Sequence, residues 1–226
     1  MQRREFMKTV SAVASTLALG ACTDSSGGAA AVQDSAQSAG AAHPLDGLFP
    51  RYTEFDPGVP TWCVTPDLDR CIHRFHLSSP FSPSGRYLGL TRLPREDQPP
   101  VPGDTAEIVL VDLETGKQKV IAETMGWDTQ LGAQVQWGAT DEDLFFNDVD
   151  PTTWMPFGVK MNPASGATQK LDGTVYSISP DGKWAVSTCL RRIGATQAGY
   201  GVVVPPETVP RNEGVVDDDG VYVTNT

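Results

Sequence analysis

From Phe81 onward, short runs of β-branched and aromatic residues alternate with tight polar turns. The turn and run Ser82-Pro83-Ser84-Gly85-Arg86-Tyr87-Leu88-Gly89-Leu90 returns as Ser179-Pro180-Asp181-Gly182-Lys183-Trp184-Ala185-Val186-Ser187, with a degenerate copy over Gly138–Phe146. Proline at the second turn position presets φ, and glycine accepts the positive φ that closes the turn. The runs are too short for helices and read as strands. A second phrase follows each first one. Ile108-Val109-Leu110-Val111-Asp112-Leu113-Glu114-Thr115-Gly116 is echoed by Phe157-Gly158-Val159-Lys160-Met161-Asn162-Pro163-Ala164-Ser165-Gly166, and Gly220–Thr226 begins a third version.

Two hairpins per repeat make a four-stranded antiparallel unit, and units of roughly 40–50 residues suit the blades of a β-propeller. The expected fold is therefore all-β, with about three blades over residues 46–226; an antiparallel sandwich is the competing arrangement. In an up-and-down blade, connections one and three share one face, while connection two and the inter-blade link share the other. The repeated polar turns are connections one and three. The second connections are long: Thr91–Thr105, Asn147–Pro156 and Leu190 to about Asp219. Long excursions in compact domains tend to be functional. They should gather Arg92, Arg95, Trp154, Arg191, Arg192, Tyr200 and Arg211 on one rim. The inner strands should bring His73, His76, Gln134, Gln136 and Tyr176 to the channel.

The N-terminus changes the picture of where such a domain works. Arg3-Arg4 precede an apolar stretch from Thr9 to Leu19, and Leu19-Gly20-Ala21-Cys22 follows. Paired arginines before a short apolar run read as a twin-arginine export signal over residues 1–21. The last four residues are similar to a lipobox, which makes Cys22 the lipidation site. Residues 22–45 are mostly Ser, Gly, Ala, Gln and Asp, a composition expected of a flexible tether. The chain is then exported and held in the cell envelope by a lipid anchor, its sole membrane contact.

Charge narrows the partners. The formal net charge is −11, and the leader carries Arg3, Arg4 and Lys8 against Glu5, so its removal leaves −13. An acidic body of this kind argues against nucleic acid as a partner. Cys63, Cys71 and Cys189 would meet an oxidising compartment. Cys63 and Cys71 can close a small loop as a disulfide, join His73 and His76 around zinc, or remain thiols; the spacing matches no common zinc module. No nucleophile elbow, phosphate-binding glycine loop, zinc-protease helix or dinucleotide fingerprint is present.

Among the candidate side chains, His73 suits proton transfer and Arg191-Arg192 suits bidentate capture of a carboxylate. Tyr200 sits between Gly199 and Gly201, where small neighbours let another group approach its hydroxyl. Trp154 can stack on a sugar or simply pack, and Asp217-Asp218-Asp219 reads as a solvated turn. Ile72-His73-Arg74-Phe75-His76, with Ser79–Tyr87 and Gln134-Val135-Gln136-Trp137-Gly138, resembles exported propellers related to oligogalacturonate-lyase-like and ulvan-lyase-like polysaccharide lyases. The likeness runs from about Trp62 to the end, and non-catalytic Tol-type propellers share its turns. The resemblance implies β-elimination on an acidic polysaccharide or oligosaccharide. Arg191, Arg192 or Arg211 would neutralise the uronate carboxylate, Tyr200 would act as acid or base, and His73 would act as base or orienter. Gln134, Gln136 and Trp154 would hold sugar. The ligand spacing indicates no divalent metal, and the cofactor is left open. Such lyases place several histidines around the channel, whereas this chain offers His73 and His76 there. A seven-bladed disc needs roughly 300 residues, so the expectation is an incomplete propeller that is lyase-like, active or inactive as this fragment, with a non-catalytic binder of glycan or protein as the alternative.

Overall fold

The computed structural model describes residues 42–226, apart from Asp56, Leu77, Asn212, Val216 and Asp218. The leader, Cys22 and most of the expected tether lie outside the described residues. Three antiparallel sheets follow one another along the chain. The first contains β1 (Cys71–Ile72), β2 (Tyr87–Arg92), β3 (Ala106–Asp112) and β4 (Gln118–Thr124), hydrogen-bonded in that order. The second repeats the pattern with β5 (Gln136–Trp137), β6 (Leu144–Val149), β7 (Pro156–Met161) and β8 (Thr168–Lys170). The third holds β9 (Ser177–Ile178), β10 (Trp184–Ser187) and β11 (Tyr222–Asn225), with β10 in the middle. This is the all-β, blade-by-blade architecture that the repeated phrases predict.

The repeated turns repeat atom for atom. Gly85 N–H donates to the Ser82 carbonyl and Tyr87 N–H to the Ser82 hydroxyl; Gly182 and Trp184 make the same two bonds to Ser179. Gly85 and Gly182 take φ of 78° and 71°, the left-handed region that a Cβ disfavours. The second phrase recurs as well: Gly116 N–H reaches the Asp112 carbonyl and Gly166 N–H reaches that of Asn162, each at 2.8 Å.

Period-two alternation decides the packing. Ile108 and Ala106 of β3 face Leu144 and Phe146 of β6, with Val135 and Trp127 between the sheets. The other face of the first sheet, with Leu88, Leu90, Val109 and Val111, is covered by Phe49 and its neighbours Leu45, Leu48 and Trp62. His43, assigned to the tether by composition, stacks on Trp62 with ring centroids 4.1 Å apart. Phe145 points the opposite way from its neighbours and packs on Leu171, Val175 and Ala185 toward the third sheet.

Two local features depart from the sequence reading. The innermost strand of the first blade is broken. Cys71 and Ile72 pair with Arg92 and Thr91, and Phe81 bridges Leu88, but the chain between leaves the ladder. The third excursion is not a structureless loop either. It opens with α1 (Leu190–Thr196) and later makes a 3₁₀ turn over Pro206–Thr208. The helix has no side-chain N-cap and no acidic residue in its first turn, and it buries only Leu190, so neither capping nor periodicity announces it. Among the described residues no helix is long and apolar enough to cross a membrane.

Candidate functional site

The first and third excursions meet. Pro99 and Pro100 from the first excursion, Asp128 and Thr129 from the link between blades one and two, and residues of the third excursion enclose a cavity of about 880 Å³. Arg191, Tyr200 and Arg211 line it together. Val202 and Val204, on its apolar floor, belong to a buried cluster with Val149 and Leu190 against which Trp154, Tyr176 and Val209 pack. Arg191 lies half-buried and donates from Nη1 to the Thr208 carbonyl at 2.7 Å, which fixes its plane and leaves its remaining N–H groups for a ligand. Arg211 is exposed and stands 3.5 Å from Glu213.

The remaining sequence-derived candidates are placed elsewhere. Arg192 lines a second cavity of about 710 Å³ with Met155, Cys189 and Tyr222, and it is ion-paired with Asp219. Asp219 also accepts from the Tyr222 hydroxyl, so it is a bonded anchor rather than the solvated turn expected; Asp218 lies outside the described residues. Trp154 is half-buried against the apolar floor. His73 and His76 are exposed, and neither lines the cavity around Tyr200. Arg92 is paired with Glu107 and Asp69, and Arg95 with Asp104, so both rim cations are engaged within the first blade. All three described cysteines are free thiols, which corrects the disulfide alternative for Cys63 and Cys71; burial pushes the Cys71 thiol up from its ordinary value.

Gln134 and Gln136 are buried, and their side-chain carbonyl oxygens are already taken. The segment that leaves the ladder after β1 carries Arg74 inward. Its Nε donates to Gln134 Oε1 at 2.9 Å, Nη1 to Gln136 Oε1 at 3.2 Å, and Nη2 to the Tyr176 carbonyl. One guanidinium from the first blade thus bonds to the entry of the second and the third. Burial lowers the pKa of Arg74, and the neighbouring Tyr176 and Asp128 oppose that shift.

Asp128 is the other residue that sequence reasoning missed. It is 2 % exposed and accepts N–H bonds from Gln130, Leu131 and Gly201. Burial nonetheless pushes its carboxyl up to about 7, against the pull of those donors and of Arg74. Nothing in a chain with 28 acidic residues marks this one out. Arg74, by contrast, sits between the two histidines that drew attention, and a strict strand alternation through Ile72–Phe75 would have turned it the opposite way from His73.

The fold and site together define an all-β protein of propeller-type blades with a cationic, tyrosine-bearing cavity on its long-loop rim. Comparison with solved structures finds an oligogalacturonate lyase in complex with manganese, at a TM-score of 0.43 and 20 % identity over 62 % of this chain. The matched region spans 35 % of that lyase's length. No protein-family model matches the sequence, and no curated protein does. Among the described residues there is no group of three or more His, Cys, Asp or Glu side chains placed to hold a metal ion.

Proposed function

We propose that this chain is an exported, lipid-anchored propeller protein that binds uronate-containing saccharides in the cavity around Tyr200, with lyase-like chemistry. The observation that carries this reading is the convergence of Arg191, Arg211 and Tyr200 on one cavity from distant points of the third excursion. A uronate carboxylate entering there meets two guanidinium groups. Neutralising the carboxylate acidifies the C–H beside it. Removal of that proton sends its electron pair into a new C=C bond, the C–O bond to the leaving sugar breaks, and the departing oxygen takes up a proton. Tyr200 is the cavity group suited to take the proton from carbon and to pass it to the departing oxygen. Export and anchoring rest on Arg3-Arg4 and on Leu19-Gly20-Ala21-Cys22.

A second reading, glycan binding without turnover, is favoured by two observations: among the described residues no histidine lines the cavity, and both carboxylate oxygens of Asp128 are occupied by backbone donors. Absorbance of unsaturated uronate products over a panel of acidic polysaccharides separates the two. Turnover that falls about 100-fold or more in Tyr200→Phe supports the elimination. Saturable binding with no product assigns the non-catalytic reading, and a Tyr200→Phe variant with full activity removes Tyr200 from the chemistry. For the anchor, fractionation of a Cys22→Ser variant should move the protein from the membrane to the soluble fraction.

A further inference from the structure

Asp128 and Gly201 are 73 residues apart, yet Gly201 N–H donates to Asp128 Oδ2 at 2.9 Å. The other carboxylate oxygen, Oδ1, accepts from Gln130 N–H at 2.9 Å and from Leu131 N–H, which closes the tight turn running to Gly132. Two further bonds tie the same pair of segments: Gln130 N–H to the Gly199 carbonyl at 3.2 Å, and the Thr129 hydroxyl to that carbonyl at 3.3 Å. Gly201 has φ of +89°, and a Cβ there would lie 2.3 Å from the Leu190 carbonyl oxygen. The turn that presents Tyr200 therefore has one path across the cavity, and the carboxylate marks its end.

We infer that Asp128 is a positioning residue whose carboxyl group latches the Gly199–Gly201 turn, and with it Tyr200, onto the link between the first two blades. Protonation makes the carboxyl a weaker acceptor, so the Gly201 N–H reports the charge on Asp128. The carboxyl sits where such a change falls in the neutral range, because burial raises it to about 7. The charged group acting on it is Arg74, from the excursion after β1; Arg191 and Arg211 stand on the cavity wall from the third excursion, beside the phenol of Tyr200. A consequence for ligand binding rests on the cavity being the site proposed above. The latch itself does not.

Tyr200-Gly201 is the one Tyr-Gly step in the chain. Heavy carbon at tyrosine carbonyls and heavy nitrogen at glycine amides therefore give a single correlated amide signal, that of Gly201, in the full chain. This signal should titrate with a midpoint near 7 in the wild type and be independent of pH in Asp128→Asn. A Gly201 signal that stays flat across the neutral range, or one that still titrates in folded Asp128→Asn, overturns the latch. Should Asp128→Asn fail to fold, the wild-type titration decides alone. Digalacturonate added as probe tests the site separately: a titrating Gly201 with no digalacturonate binding refutes the cavity as a uronate site and leaves the latch standing.

Discussion

Arg74 ties three distant segments of this molecule together. It satisfies two buried glutamine carbonyls and a backbone carbonyl, and its guanidinium lies 5.0 Å from the centre of the Tyr176 ring. Truncation would leave Gln134 Oε1 without its donor and remove the charged bonds to Gln136 Oε1 and the Tyr176 carbonyl, which keep weaker donors in Ile178 N–H and Gln136 Nε2. Arg74→Ala should therefore lose about 2–4 kcal/mol of stability, read from denaturant midpoints at an unchanged slope. A loss below about 0.5 kcal/mol would mean that water replaces the guanidinium freely. The titrating residues give stability a pH dependence of two signs. The Asp128 carboxyl is raised in the folded state from 3.8 to about 7, so between those values the folded chain holds a proton that the unfolded chain has lost. That contribution weakens folding as pH rises through the window, and Asp128→Asn should flatten this part of the profile. Asp112 behaves oppositely: its hydrogen bonds with the Arg86 guanidinium hold it at about 2, so its stabilisation is present above 3.8 and disappears as pH falls toward 2. Thermal melts of Asp112→Asn should lose that acid limb, modestly, because Arg86 is partly open to solvent.

At the scale of elements, turn chemistry is the most legible feature. Proline, serine and glycine at fixed offsets predict the bonds that Ser82 and Ser179 make, because such turns are closed by residues a few positions apart. The two copies nevertheless differ in surroundings. A Cβ at Gly85 meets nothing within 4 Å, whereas one at Gly182 lies 3.0 Å from the Ala139 amide nitrogen. Gly85→Ala should then cost about 1–2 kcal/mol for the left-handed φ alone, and Gly182→Ala should cost more. Equal losses in parallel denaturation curves would contradict the contact. The strand runs β2, β3, β6 and β7 were legible for the same local reason. The broken inner strand of the first blade was not, since leaving the ladder there serves contacts with Gln134, Gln136 and Tyr176 far along the chain. Nor was α1, which is held by the burial of Leu190 against Val149 and Val202 rather than by any propensity of its own.

At the scale of the whole molecule, one sheet supports the next through side chains of alternating direction. Phe145 is fully buried between the second and third sheets, while its neighbours Leu144 and Phe146 serve the first interface. Phe145→Ala should cost about 3–5 kcal/mol and loosen the third sheet first, seen as faster amide exchange in β10 than in β2. Uniform exchange across all three sheets would instead mean that they unfold as one unit. Periodicity and turn residues settled the all-β class, the repeat, and which connections are long, because strand alternation and turn closure depend on neighbours in sequence. They also placed Tyr200, Arg191 and Arg211 on long excursions. Which side chains share a cavity was decided by packing between blades, as were the capture of Gln134 and Gln136 by Arg74 and the bond from Gly201 to Asp128. Those contacts join segments many residues apart, and their strength comes from burial, which no local pattern of residues records.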